Sequence, residues 1–281
     1  MKKLFILIAA VVLAACEKPV FDEDTAESAT VTINITVDDE GADMGCQHSR
    51  TTRAALEDVC SRINVAVFDG GGTKLKSIAQ SSSDSGFGSV PLSLAAGSYK
   101  LVVIAHNGSG SATITSEEKV TFANNKVTDT FYYYGVLTVN NDKREVAITL
   151  KRAVAMVRLL IDGLPDDVAT LKFYYTGGSS TFSPFEGLGN VNSKQTEYRP
   201  YNEDGIYEIY TFPHSTEDAI TKLTITALDA GDNMLDEIMV ENIPVTVNRI
   251  TEYSGAKFGG GGSQVSMSIS VNPSWAGIDH Y

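Results

Sequence analysis

Side chains that most enzymes use for chemistry are few in this sequence and widely spaced. The chain of 281 residues contains four His and three Cys, and no two His stand in the H-E-x-x-H spacing of a zinc site. The sequence has no G-x-S-x-G nucleophile turn, no Walker A loop and no complete G-x-G-x-x-G motif. It therefore predicts a protein that is not an enzyme, with no catalytic residues, no metal site and no cofactor.

The cysteine with the clearest sequence context is Cys16. It follows Lys2, Lys3 and an apolar stretch at residues 4–13, which is too short to cross a bilayer as a helix and is typical of a signal peptide. The segment Leu13-Ala14-Ala15-Cys16 resembles the lipobox of bacterial lipoproteins, in which a signal peptidase cuts before the Cys and its thiol is acylated. The resemblance implies that residues 1–15 are a lipoprotein signal peptide and that Cys16 carries lipid such as palmitate.

Residues 16–29 are predicted to form an acidic tether after the lipid. Glu17, Asp22, Glu23 and Asp24 resemble the acidic export signal of Bacteroidetes surface lipoproteins, and a simple solvated tether explains the same charges equally well. The implied location is the cell surface, as an outer membrane lipoprotein.

The other two cysteines, Cys46 and Cys60, are an even number in a compartment that permits disulfides. They are predicted to pair, because neither has a second ligand at zinc spacing. Such a bridge stabilises a fold by about 3 kcal/mol in the chain-entropy model.

Composition and charge narrow the class further. Lys and Arg number 22 against 35 Asp and Glu, and the net charge of −13 excludes a broad basic face for nucleic acid. The 24 Gly, 12 Tyr and 11 Phe indicate strands and turns. We therefore expect an all-β protein.

Many short strands separated by turns predict two β-sandwich domains in tandem. Residues 31–37 alternate apolar and polar side chains, as expected of a strand that is buried on one face. The predicted limits are residues 30–150 for the N-terminal sandwich, residues 151–258 for the C-terminal sandwich, and residues 259–281 for a glycine hinge and a terminal strand. Only residues 151–153 separate the last strand of the first sandwich from the first strand of the second, so a rigid junction is expected.

Four motifs together resemble the type V pilus (fimbrillin) superfamily of Bacteroidetes, most closely its FimB/Mfa2 anchor or accessory subunits. In chain order they are residues 97–107 (GSYKLVVIAHN), 150–157 (LKRAVAMV), 162–168 (DGLPDDV) and 247–255 (VNRITEYSG). The resemblance implies two transthyretin-like sandwiches and a structural subunit of a cell-surface pilus that contributes to adhesion.

The resemblance also implies partners and sites. Pilus subunits of this kind assemble with one another by strand exchange, a form of β-augmentation, after a protease cuts behind the first strand. The candidate cleavage sites are Arg50 and Arg53. The candidate first strand presents Val31, Ile33, Ile35 and Val37, and the candidate donor strand presents Val265, Met267, Ile269 and Val271.

A Cys46–Cys60 bridge would span both candidate cleavage sites and keep the first strand tied to the body. This favours a basal anchor that retains its lipid, with a stalk or tip subunit matured by protease as the alternative. A surface glycan-binding lipoprotein is a second alternative, in which the tyrosines between residues 177 and 210 contact sugar. Tyr198, Tyr201, Tyr207 and Tyr210 are the candidates for that role, although alternate tyrosines of a strand are expected to point inward and pack.

Overall fold

The structure is a computed structural model that describes residues 28–37, 56–140, 145–258 and 269–270. Among these residues, one short α-helix, α1 (Leu56–Val59), lies between the first and second strands, and a 3-10 turn covers Ala123–Asn125. The N-terminal part of the described chain contains nine strands: β1 (Ser28–Val37), β2 (Arg62–Phe68), β3 (Lys74–Ser81), β4 (Ser89–Ala95), β5 (Gly97–His106), β6 (Thr113–Ser116), β7 (Lys119–Thr121), β8 (Thr130–Val139) and β9 (Glu145–Arg152).

The C-terminal part of the described chain contains ten strands. They are β10 (Ala155–Asp162), β11 (Thr170–Thr176), β12 (Thr181–Ser183), β13 (Leu188–Gly189), β14 (Lys194–Pro200), β15 (Ile206–Thr211), β16 (Asp218–Leu228), β17 (Met234–Val245), β18 (Ile250–Lys257) and β19 (Ile269–Ser270). No helix among the described residues is long and apolar enough to cross a membrane.

The first nine strands, without β6 and β7, form a sandwich whose hydrogen-bonded order is β3-β2-β5-β8-β9-β1-β4. Strand β9 joins the two layers, because its first part pairs with β1 and its last two residues pair with β8. The inward faces of β1, β4 and β9 pack against those of β2, β5 and β8 in one buried cluster.

Strand β2 shows why the central strands are apolar on both faces. Ile63, Val65 and Val67 belong to the core of the first sandwich, whereas Ala66 and Phe68 on the opposite face belong to a second core shared with the C-terminal part. A strand that is covered on both faces has no solvent side, so its sequence does not alternate with polar residues.

The C-terminal part repeats the topology of the first. Its layers have the orders β15-β10-β18-β19 and β14-β11-β16-β17. Strand β10 pairs antiparallel with β15 and parallel with β18, just as β1 pairs antiparallel with β4 and parallel with β9. The prediction of an all-β fold of two sandwiches in tandem is confirmed.

Individual strands agree with the sequence patterns to different degrees. The alternating segment at residues 31–37 lies within β1, and β5 is central, as its apolar sequence suggests. The glycines and polar residues of segment 177–199 predict a loop, and this prediction is wrong: the segment contains β12, β13 and most of β14, which pairs with β11. The glycine hinge at residues 259–262 lies outside the described residues, and the exact domain limits stay a prediction.

Candidate functional site

Strand β1 is enclosed in the first sandwich. It pairs antiparallel with β4, from Ser28↔Ala95 to Asn34↔Ser89, and parallel with β9, from Thr32↔Glu145 to Val37↔Leu150. Its four predicted inward side chains are at most 6% exposed: Val31, Ile33, Ile35 and Val37. Because both edges and one face are occupied, β1 fills a complete strand position, as the sequence predicts for the first strand.

The loop before β4 fixes the end of β1. The backbone N–H of Ile35 donates to the carbonyl of Gly88 at 2.8 Å. Gly88 has a φ of +87°, and a Cβ at this position would lie 2.9 Å from Leu56 of α1. Only Gly allows this left-handed turn and the close approach of α1.

Cys60 follows α1 and is packed in the same core. Its side chain is 1% exposed and is a free thiol in the structure. Burial, and to a smaller extent the nearby Asp129, raises the pKa of this thiol well above its usual range. Its predicted partner Cys46 lies outside the described residues, so the disulfide stays a prediction. The same holds for the lipidation site Cys16 and for the candidate cleavage sites Arg50 and Arg53.

Strand β18 pairs along both edges with described strands. One edge pairs with β10 over its length, and the other pairs with β19 at Tyr253↔Ile269 and Glu252↔Ser270. Of the predicted donor positions, Ile269 is in this contact. Val265, Met267 and Val271 lie outside the described residues.

The link between the sandwiches is short and held by Arg152. Only Ala153 and Val154 separate β9 from β10, and both are fully buried. The guanidinium of Arg152 donates to both carboxylate oxygens of Asp129 at 2.8 and 3.1 Å and to Oδ1 of Asn248 at 3.0 Å. This charged fork connects elements of both sandwiches, and the expected rigid junction has a direct physical basis in it.

A shared apolar core joins the two sandwiches next to this link. Strand β7 of the N-terminal part pairs with β12 of the C-terminal part, with Phe182 opposite Val120. The ring of Phe212 lies 5.3 Å from that of Phe122 and 5.0 Å from that of Phe182. A separate four-stranded sheet of order β13-β12-β7-β6 and an aromatic cluster therefore connect the N-terminal and C-terminal parts.

Several buried polar groups of the described residues serve the fold. No cluster of three or more His, Cys, Asp or Glu among them could hold a metal ion. Tyr175 and Glu197 form a buried pair, in which the tyrosine hydroxyl donates to Oε1 at 3.0 Å. Burial first, and then the charge of Glu197, raises the pKa of Tyr175. The hydrogen bond from Tyr175 stabilises the Glu197 carboxylate, which points inward from the edge strand β14. An inward-pointing charge on an edge strand discourages the addition of another strand.

His106, at the end of β5, is buried without a full set of partners. Its Nδ1 accepts a hydrogen bond from the backbone N–H of Gly108 at 2.9 Å, so the neutral ring carries its proton on Nε2, which has no partner. Burial, and secondly the charge of Arg62, lowers the pKa of His106 from 6.5 to about 4. Protonation would place a second donor against the N–H of Gly108.

Stability is expected to fall as the pH drops from 6.5 towards 4, because the unfolded chain takes up a proton that folded His106 refuses. The contribution of neutral, buried His106 to the free energy of unfolding is fully present above pH 6.5. By about pH 4 the free energy of unfolding has fallen by about 3 kcal/mol. His106→Asn keeps an acceptor for Gly108 and should remove that part of the pH dependence. Urea midpoints between pH 7.5 and 4.5 measure it.

The matched control is Val136→Asn, because Val136 is 68% exposed and neither side chain titrates. Any change in its urea midpoint should be the same at every pH in this range. An unchanged pH profile in His106→Asn would contradict the role of His106.

The tyrosines of the candidate sugar-binding segment divide between surface and interior. Tyr198 and Tyr201 are 59% and 47% exposed, and they are the only tyrosines of the described ranges that are classed as exposed. Tyr207 is 4% exposed, and Tyr210 is half-buried. As expected, half of the set packs inward. The two exposed rings lie at the junction of the sandwiches, where they line cavities.

Sequence reasoning missed the residues that make this junction. The inward positions of β14 are polar, namely Gln195, Glu197 and Arg199, so the segment lacks the alternation of a strand. Phe122, Phe182 and Phe212 lie in three separate segments, and nothing local marks them as one cluster. The signal that was available is Phe182 in a short apolar group within a polar stretch.

The fold and the junction define a class, an all-β protein of two sandwiches joined by a shared core. The family model for the fimbrillin-A associated anchor proteins Mfa1 and Mfa2 matches residues 22–280. The chain belongs to this family, and it is a fimbrial subunit of the anchor or accessory class at the cell surface. The family is one of structural fimbrial subunits.

Several solved structures resemble this chain at low sequence identity. A protein from Bacteroides ovatus ATCC 8483, described as an adhesin candidate, is 15% identical with a TM-score of 0.50, over 83% of this chain and 88% of that chain. The fimbrial anchor protein Mfa2 from Porphyromonas gingivalis is 15% identical with a TM-score of 0.40, over 75% and 82%. The tip fimbrial protein Mfa3 from the same organism is 10% identical with a TM-score of 0.43, over 87% and 99%. No curated protein sequence matches the chain significantly.

Proposed function

We propose that this chain is a lipid-anchored structural subunit of a pilus, an anchor or accessory subunit that joins its neighbours by β-strand exchange and contributes to adhesion. Lipid on Cys16 attaches it to the outer membrane, and the acidic tether holds the sandwiches away from the surface. The observation that carries the proposal is the integration of strand β1, which is paired along both edges in the sheet of the first sandwich. Among the described residues, the C-terminal segment contributes the two pairs of β19 with β18.

The integrated first strand supports an anchor role. With Val31, Ile33, Ile35 and Val37 buried and both edges paired, this subunit has its own first strand in place and needs no donor from a neighbour. A Cys46–Cys60 disulfide would keep that strand, and the lipid before it, attached to the body even after cleavage at Arg50 or Arg53. Retention of the first strand suits the basal member of an assembly.

The C-terminal strand is the part available to a neighbour. Its alternating apolar residues Val265, Met267, Ile269 and Val271 can fill the alternate pockets of a strand position in the next subunit, and main-chain hydrogen bonds supply affinity. The residues that alternate with them are polar, as expected for the face of a donated strand that points to solvent. They are Ser266, Ser268 and Ser270.

Deleting residues 264–281 is expected to abolish co-purification with the other pilus subunits, while the circular dichroism spectrum and thermal midpoint of the sandwiches stay close to wild type. The reason is that strand donation needs the alternating segment of the tail, whereas the buried cores of the two sandwiches consist of residues before position 259. The measurement is recovery of pilus subunits from solubilised cells with the tagged, full-length or truncated chain.

A sharper pair of variants keeps the tail length. Changing Val265, Met267, Ile269 and Val271 to Ser should act like the truncation, and changing Ser266, Ser268 and Ser270 to Ala should leave recovery unchanged. Equal recovery with the truncated chain would overturn donation by this strand.

A further inference from the structure

A cleft of about 840 Å³ lies at the junction of the two sandwiches. One wall comes from the segment between β7 and β8, and the other comes from the end of β14 and from β15. A second cavity of about 330 Å³ runs along β14. Lys126 lines both, so the two form neighbouring parts of one surface.

Three of the ten exposed large apolar side chains of the described residues line these cavities. Tyr201 and Ile206, 47% and 43% exposed, line the cleft, and Tyr198, 59% exposed, lines the second cavity. The backbone positions of both rings are fixed, because Tyr198 lies within β14 and the N–H of Tyr201 donates to the carbonyl of Ala169 at 2.9 Å. An exposed aromatic ring on a fixed backbone is a ready contact for a ligand.

Polar groups with free hydrogen-bonding capacity surround these rings. Neither the Lys126 ammonium nor the Asp204 carboxylate has a hydrogen-bond or ion-pair partner among the described residues. Arg199 uses only Nη2, for the Glu197 carboxylate and the Glu208 carbonyl, which leaves its other guanidinium nitrogens to a ligand. Cations and carboxylates occur together in the cleft, so its charge favours neither a polyanion nor a polycation.

The cleft is not shaped to receive an extended peptide. Strand β15 borders it, and a peptide would have to pair with the backbone of that strand. Two of its carbonyls already accept side-chain hydrogen bonds, that of Ile206 from Nδ2 of Asn202 at 3.2 Å and that of Glu208 from Arg199 at 3.3 Å. The side chains of Asn202 and Arg199 therefore occupy the hydrogen-bonding edge of β15. A ligand in the cleft would bind to side chains rather than to the backbone of this strand.

We propose that this cleft binds a short oligosaccharide of neutral sugar units. The C–H face of a pyranose ring matches the flat rings of Tyr201 and Tyr198, and its hydroxyl groups can both donate to Asp204 and accept from Lys126 and Arg199. A site of a few convergent polar groups around exposed aromatic surface is what a polyhydroxylated ligand requires.

This activity goes beyond strand exchange and does not depend on it. The residues of the cleft belong to β14, β15, the loop between them, the segment before β8 and the residue after β5, and none belongs to β1, β18 or β19. Truncation of the tail should therefore leave sugar binding intact, and loss of sugar binding should leave assembly intact.

The test uses the mature chain on an array of defined neutral and uronic-acid-containing oligosaccharides of two to six units. Calorimetric titration with the best-retained neutral oligosaccharide follows. Tyr201→Ala should weaken that binding by about tenfold or more, and Tyr198→Ala and Asp204→Ala should each weaken it severalfold. All three side chains are on the surface, so the variants should keep the wild-type thermal midpoint.

Phe185→Ala is the matched control, because Phe185 is an exposed ring that is 54% accessible and does not line either cavity. It should bind like the wild type. Retention of no oligosaccharide, retention of acidic oligosaccharides only, or affinities of all three cleft variants within twofold of wild type would each overturn the proposal.

Discussion

Replacing Phe212 with Ala is expected to destabilise the folded chain by about 3–5 kcal/mol, the usual cost of removing a large aromatic side chain from a core. The ring is fully buried, and it lies between Phe122 of the N-terminal part and Phe182 of the C-terminal part. Its loss leaves a cavity at the centre of the core that the two sandwiches share. The expected loss is a large part of the 5–15 kcal/mol by which natural domains are stable.

The same change should separate the unfolding of the two sandwiches. In the wild type, the shared core, the β7–β12 pairing and the Arg152 fork couple them, so a single urea transition is expected. Phe212→Ala weakens the coupling without touching the cores of the separate sandwiches, and two transitions should appear by circular dichroism. Phe185→Ala, an exposed ring with one aromatic neighbour, Tyr134, should cost about 1 kcal/mol or less and keep one transition. If Phe212→Ala and Phe185→Ala had equal urea midpoints, the prediction that the shared core stabilises the protein would be contradicted.

Local patterns in the sequence were sufficient for the class of fold and for several strands. The alternation at residues 31–37 predicts one buried face, and the structure has that face at most 6% exposed. The uninterrupted apolar run in β5 predicts a central strand, and β5 lies between β2 and β8. The pattern of apolar and polar residues in a strand depends only on what covers the two faces of that strand. It therefore identified β1, which is buried on one face, and β5, which is buried on both.

The candidate site could not be predicted in the same way, because its parts are distant in sequence. Strand β1 pairs in parallel with β9, more than 100 residues later, where Thr36 donates to the carbonyl of Ile148. Strand β14 was missed because Gln195, Glu197 and Arg199 occupy its inward positions. Glu197 accepts hydrogen bonds from Arg199 of the same strand and from Tyr175 of β11, and the contact with Tyr175 is a tertiary one that no local pattern contains.

Replacing Ile33 with Asp should unfold the first sandwich or prevent its folding. Ile33 is fully buried at the middle of β1, paired with Val90 on one side and Val146 on the other. The change removes an apolar side chain worth about 2–5 kcal/mol and places an unpaired carboxylate in the core, which costs several kcal/mol more. The sum is comparable with the total stability of a domain. Soluble yield and urea midpoints measure the effect.

Two variants of the same strand make the result specific to the inward face. Thr30→Asp introduces the same charge at an exposed position of β1 and should cost less than about 1 kcal/mol. Ile33→Val removes one methylene from the core and should cost about 0.5–1.5 kcal/mol, which gives a measurable shift even if the Asp variant yields no folded protein. If Ile33→Asp and Thr30→Asp have equal midpoints, β1 does not occupy its slot in solution. The anchor model, which requires a retained first strand, then fails together with the packing argument, because the slot would be open to a strand from a neighbour.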